Sequence, residues 1–148
     1  MDHIDTLPLA GQLRTALCDF VTTAGARRRL PTLFHVGTPG GDQITLPHDL
    51  YFDAGLRGDL VERAIEGLEG RAGERPVPWL TRSGDLAPGD ADFAWLSAAR
   101  EGFGRHDLVL PGFFVITRHG WLNLANDDVI RWRRVRPARP PREDQSPA

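Results

Sequence analysis

Lysine is missing from this 148-residue chain; all eighteen of its basic residues are arginine. That absence removes Schiff-base catalysis, a phosphate-loop lysine and any other reaction that needs a side-chain ammonium group. Cysteine occurs once, at Cys18, which excludes an internal disulfide and any metal site built on several thiolates. No apolar run approaches the roughly 20 residues of a membrane-spanning helix. The opening MDHIDTLPLAGQL carries two acids and no basic stretch, unlike a secretory signal. A soluble cytoplasmic protein with no membrane contact is therefore expected.

With 41% hydrophobic and 26% charged residues, the chain has the composition of one domain that buries its own core. The bias toward Arg, Ala, Gly, Pro and Asp suits a protein of a GC-rich bacterium. Charge is unevenly spread. Residues 1–128 hold twelve Arg against eighteen acids, whereas 129–142 hold six Arg and no acid. A globular domain is expected over 1–136, followed by a Pro/Arg-rich tail, 137–148, too poor in apolar residues to pack.

Periodicity places a first helix over 8–24, with Leu13, Ala16, Leu17, Phe20 and Val21 at three- and four-residue spacing and Gly25 as its stop. Cys18 falls among these apolar positions and reads as a small buried thiol. TLFHVG and QITL flank a Gly-rich turn and predict a hairpin. Residues 47–58 read as loop or a short turn of helix. A second helix is expected from Asp59 as N-cap, and a third from about Ala91, capped by Asp90, with Phe93, Leu96, Ala99 and Phe103 inward. Strands are expected at 77–82, 112–118 and 129–135. The order α-β-β-α-β-α-β-β predicts a single α/β or α+β domain, a mixed β-sheet with about three helices.

Two of these strands end alike. The first closes on Leu80, Thr81, Arg82, a variable residue and Gly84; the second on Ile116, Thr117, Arg118, a variable residue and Gly120. Paired in parallel and in register, they would bring both arginines to the carboxyl edge of the sheet, where open α/β sheets bind ligands, with backbones about 5 Å apart. Two guanidiniums that close need a counter-charge. Asp85, Asp90 and Asp92 can supply it, so internal ion pairs are the favoured reading. A phosphate or carboxylate ligand held at Arg82, Arg118, Thr81, Thr117, Ser83, Asp85 and His119 is the alternative.

Other constellations carry less. GTPGGD lacks the Gly-Lys-Ser/Thr ending of a phosphate loop and connects two strands, so it reads as a turn. Five dispersed histidines contain no His-x₃₋₅-His pair; His35 or His48 with Asp49 and Asp53 is the best metal set that can be drawn, and no metal or organic cofactor is expected. Ser83 with His119, oriented by Asp85 or Asp107, would make a nucleophile–base pair, but Ser83 lacks the G-x-S-x-G elbow and reads as a turn serine. VIRWRRVRPARPPR could meet phosphates and stack bases, yet the acidic body argues against nucleic acid. Its arginines suit an edge strand.

In layout the chain resembles JAB/MPN proteins, a group that includes zinc isopeptidases. Their His-x-His, Ser and Asp motif falls on Trp79, Thr81, Gly89 and Asp92 here, and only Asp92 matches. The resemblance implies a metal-free scaffold used for binding. The run PWLTRSGD and the WLSAAREGF segment also resemble short proteins of actinobacteria. The expected function is thus a small binding or interaction module, non-enzymatic and with no catalytic residue assigned, taking an anionic small molecule, a protein partner or a second copy of itself as a homodimer. The alternatives are a hydrolase or transferase at the Arg82/Arg118 edge with His119 as general base, and nucleic-acid contact through the last strand.

Overall fold

A computed structural model describes residues 8–69 and 75–132. The element order is α1 (Leu9–Ala24), β1 (Leu33–Gly37), β2 (Gln43–Pro47), α2 (Ala54–Gly67), β3 (Val77–Thr81), α3 (Asp90–Arg105), β4 (Phe114–Thr117), β5 (Gly120–Asn123) and β6 (Asp128–Arg131). This is the expected α+β order with one further strand, β5, where the sequence reads as loop. The tail at 137–148 and the end of the predicted last strand, from residue 133, lie outside the described residues.

The strands form one mixed sheet in the order β2-β1-β3-β4-β5-β6. Only β3 and β4 pair in parallel, joined by the α3 crossover; every other neighbour is antiparallel. Because side chains alternate, each strand feeds two cores. On one face Phe34, Val36, Leu80, Val115 and Leu122 pack under α2 and α3. On the other, Val77, Trp79, Phe114, Ile116 and Trp121 meet Leu13, Ala16, Leu17 and Val21 of α1. Cys18 is only half-buried, beside this apolar stripe rather than within it.

Local chemistry moves two helix boundaries from the sequence reading. The second helix begins at Ala54, because Asp53 accepts the Leu56 N–H at 2.7 Å and so caps the chain six residues earlier than Asp59 would. Asp59 instead pairs with Arg105 at 3.2 Å. α3 starts at Asp90 with Gly89 as N-cap, and the Asp92 carboxylate accepts the Gly89 N–H at 2.9 Å. Turning Asp92 inward sets the helical phase. Trp95, Leu96, Ala99 and Phe103 become the inner face, while Phe93, expected inside, is 51% exposed. Trp95 stacks on Phe34 with centroids 4.8 Å apart and donates its indole N–H to His48 Nδ1 at 3.0 Å.

α2 and α3 cross closely. A Cβ added at Gly102 would fall 2.6 Å from Val61 Cγ1, inside any real contact. The helix phase is testable by urea unfolding. Trp95→Ala should cost about 3–5 kcal/mol through cavity formation, whereas Phe93→Ala should stay within about 0.5 kcal/mol, as exposed substitutions do.

Candidate functional site

The two arginine-bearing strand ends do not converge. In the parallel pairing Thr81 lies opposite Ile116 and Leu80 opposite Val115, so Arg82 aligns with Thr117 and the two Thr-Arg pairs are offset by one residue. With a side-chain period of two, that single step sends the arginines to opposite faces of the sheet.

Arg82 turns toward α3. Its Nε and Nη2 hold the two Asp92 carboxylate oxygens at 2.9 and 2.8 Å. The remaining guanidinium hydrogens meet the carbonyls of Ser83, Asp85 and Ala87 at 2.9–3.0 Å. All five donors are thereby committed to protein acceptors. Of the three candidate acids, only Asp92 offers its carboxylate; Asp85 contributes its backbone carbonyl. Asp92 is 1% exposed, so this is a buried, bidentate pair.

Arg118 turns toward α1. Its Nη1 donates to the Gly25 carbonyl at 2.9 Å and its Nη2 to the Arg27 carbonyl, just beyond the C-terminus of that helix. Ser83 acts on the same segment, its Oγ accepting the Leu30 N–H at 2.6 Å. His119 is exposed, and its backbone N–H reaches Thr117 Oγ1 at 3.1 Å. The serine hydroxyl therefore meets the 28–30 segment rather than an imidazole. Of the other metal set, Asp49 caps a turn at Tyr51, Asp53 caps α2 and His48 accepts from Trp95; His35 lies on the α1 face, away from them.

The segment clamped by Arg118 and Ser83 walls a cleft of about 210 Å³ between α1 and the ends of β1, β2 and β3. Ala16, Phe20, Leu30, Pro31 and Trp79 make it mostly apolar. Its floor is polar: His35 Nε2 meets Thr81 Oγ1 and His35 Nδ1 meets Thr45 Oγ1, each at 2.8 Å, with the ring stacked on Trp79 at 5.1 Å. Gln43 reaches the same group at the mouth through longer bonds of 3.3 and 3.4 Å. Burial pushes the His35 imidazole down to about 4, so it is neutral at physiological pH and donates through one nitrogen while accepting through the other. Burial also raises the carboxyl of Asp19 at the rim.

Of the residues singled out from the sequence, Thr81 lines this cleft, Ser83 and Arg118 hold its wall, Arg82 and Asp85 belong to the opposite face, and Thr117 is buried beneath the turn to His119. Gln43, Thr45 and Asp19 were not recognised. A signal for the first two was present: centring the hairpin on Gly40 pairs His35 with Thr45 and Gly37 with Gln43, which puts all three polar side chains on one face.

Among the described residues, one further group could take a cation: Glu62, Glu66 and His106, with His106 Nε2 3.9 and 4.0 Å from the two carboxylates. Glu62 is also held by Arg105. No described helix is long and apolar enough to cross a membrane. In comparisons with known proteins, the chain matches no family model, no curated protein and no solved structure.

Two expectations follow. Asp92→Ala strands the half-buried Arg82 charge and should cost about 3–5 kcal/mol in chemical denaturation, while Asp85→Ala and Asp90→Ala should each change stability by less than about 1 kcal/mol. The second concerns pH. Because His35 folds neutral, the unfolded chain takes up its proton first, so stability contributed at this position is complete above pH 6.5 and falls as pH drops toward about 4. The loss amounts to roughly 3 kcal/mol. Melting curves of the wild type and His35→Gln from pH 7 to 4.5 should converge as the pH falls; parallel curves would show that the imidazole is not held neutral.

Proposed function

We propose that the chain is a small binding module whose ligand occupies the cleft under α1. The observation that carries this reading is the polar floor: His35, Thr81 and Gln43 line a mostly apolar opening that also holds Asp19 and Arg27, and the exposed Thr45 completes the hydrogen bonds of the imidazole from outside the lining. Ligand sites combine apolar walls with a few placed polar groups in this way. The floor presents hydroxyl and amide groups and no charge. It suits an uncharged, ring-sized, largely apolar ligand with one or two hydrogen-bonding atoms. Gln43, half-buried and bound by long contacts, is the side chain best placed to exchange its internal partners for ligand atoms.

An anion at the paired arginines has less support, because Arg82 has no free donor and Arg118 lies outside the cleft lining. The cleft's charged groups, Asp19 and Arg27, line it from α1 and the segment beyond.

A panel of neutral heteroaromatic and aliphatic fragments, screened by amide chemical shifts, tests the assignment. Binders should perturb Phe20, Leu30, His35 and Gln43, and Thr23→Trp, at an exposed position lining the cleft, should abolish those shifts without lowering the melting temperature. Perturbations confined to other surfaces, or a Thr23→Trp variant that binds as well as the wild type, would overturn it.

A further inference from the structure

The two edges of the sheet are protected to different degrees. On the β2 edge the ladder with β1 hydrogen-bonds the even-numbered residues, as the His48 N–H to Thr32 and Thr38 N–H to Asp42 bonds at its two ends show. The outward groups therefore belong to Gln43, Thr45 and Pro47. Proline has no N–H to offer, which blunts that edge.

Among its described residues the β6 edge has no proline, and only the charged side chains of Asp128 and Arg131 blunt it. The Trp132 N–H donates to the His119 carbonyl at 2.8 Å, and the pairs Ile130–Trp121 and Asp128–Asn123 follow in the same phase. By the alternation of an antiparallel ladder, the N–H and C=O groups of Val129 and Arg131 point away from the sheet. The strand also exposes apolar side chains, Val129 at 39% and Ile130 at 45%. Its charges are ordered, acidic before the apolar pair (Asp127, Asp128) and basic after it (Arg131).

We infer that β6 is the docking strand for a second copy of this chain, added antiparallel about a two-fold axis through Ile130 to join two six-stranded sheets into one. The occupant follows from the charge order. An antiparallel copy sets the acidic start of each strand against the basic end of the other, whereas a parallel one would align like with like. The register follows from the free groups. A two-fold axis through the sheet must pair residues on the same face. Centring on Ile130 matches Val129 with Arg131 of the second copy and Arg131 with its Val129, giving four backbone hydrogen bonds from groups that have no ladder partner among the described residues.

The side chains agree with this register. Ile130 meets its own copy at a close, non-hydrogen-bonded position. Arg131 stands opposite Val129 of the second copy, with that copy's Arg131 on one diagonal and the turn carrying its Asp127 on the other. Trp132 stands opposite Asp128 of the second copy, on the face of the sheet that carries α1. On the α1 side, Leu9, Phe114, Trp121, Ile130 and Trp132 line an open groove of about 690 Å³ that runs to this edge. The contact is isologous and closes at two copies, because pairing consumes the one edge among the described residues that has no proline to interrupt its outward N–H groups.

Sedimentation or light scattering of the full 148-residue chain at roughly 100 μM should give a dimer. Val129→Pro deletes an outward N–H and leaves the ladder to β5 intact, so it should weaken the dimer at least about tenfold while the melting temperature at monomer concentrations is kept. Arg131→Asp, at an exposed side chain, should weaken it as well by setting a like charge diagonal to the turn that carries Asp127 of the second copy. A monomeric wild type at that concentration overturns the inference. So does a dimer whose affinity neither substitution changes, since it must then use another surface. Should Val129→Pro fail to fold, the Arg131→Asp result decides alone.

Discussion

The parallel pairing of β3 with β4 is the constraint on which the rest of the molecule depends. It is the single parallel contact in the sheet, and it joins two antiparallel halves, β2-β1-β3 and β4-β5-β6, that are each built from neighbouring segments apart from the return of β3 to β1. Its register places Thr81 opposite Ile116, one residue away from the alignment that the repeated Thr-Arg-x-Gly suggests. That offset distributes the polar ends of the strands between two layers. Arg82 goes to α3, where it fixes the first turn of the crossover through Asp92. Arg118 goes to α1, where it satisfies carbonyls left open past the helix end. Two similar motifs thus tie down different parts of the chain, Arg82 with all five of its donors and Arg118 through its two terminal nitrogens.

The α1 layer is less complete than the layer beneath α2 and α3. One helix cannot cover six strands, and its C-terminal half stops short of β1 and β2. The chain bridges that gap with the 25–31 segment, held by Arg118 and Ser83, and leaves a cleft below it. A histidine in such a place would ordinarily be a liability, since burying an imidazolium is costly. Here Thr45 and Thr81 satisfy both ring nitrogens of the neutral form, so the imidazole is fully hydrogen-bonded within the chain.

The sequence conveyed the architecture well because the strongest signals are local. The three-four spacing of Leu13, Leu17 and Val21, the glycine turn at 40–41 and the alternation through Leu80 and Ile116 each depend on near neighbours. β5 reads as loop because Gly120–Asn123 opens on glycine and runs into the turn-forming Asn126 and Asp127, whereas the equally short β4 and β6 lie in longer apolar or alternating runs. The start of α2 was misplaced because Asp53 and Asp59 are equally good caps in isolation, and only the fold selects between them. The site was harder still. The strand ends were recognised as chemically important, but their register is a tertiary property that no local pattern encodes. His35 stands out in the sequence only as a member of a weak metal set; its partners Thr45 and Thr81 come from two other strands and assemble only in the sheet.

The close crossing of α2 and α3 at Val61 and Gly102 has a consequence for the history of this fold. With no space for even a methyl group at 102, the two positions cannot vary independently. A descendant that acquires alanine at 102 must already have trimmed residue 61, or must move one helix outward and unseat Trp95 and Phe103 from the core they share. Drift at this crossing is therefore ordered: the larger residue shrinks first, and the glycine is released afterwards. Pairs of this kind leave correlated substitutions, and in any set of sequences descended from this one, 61 and 102 should change together.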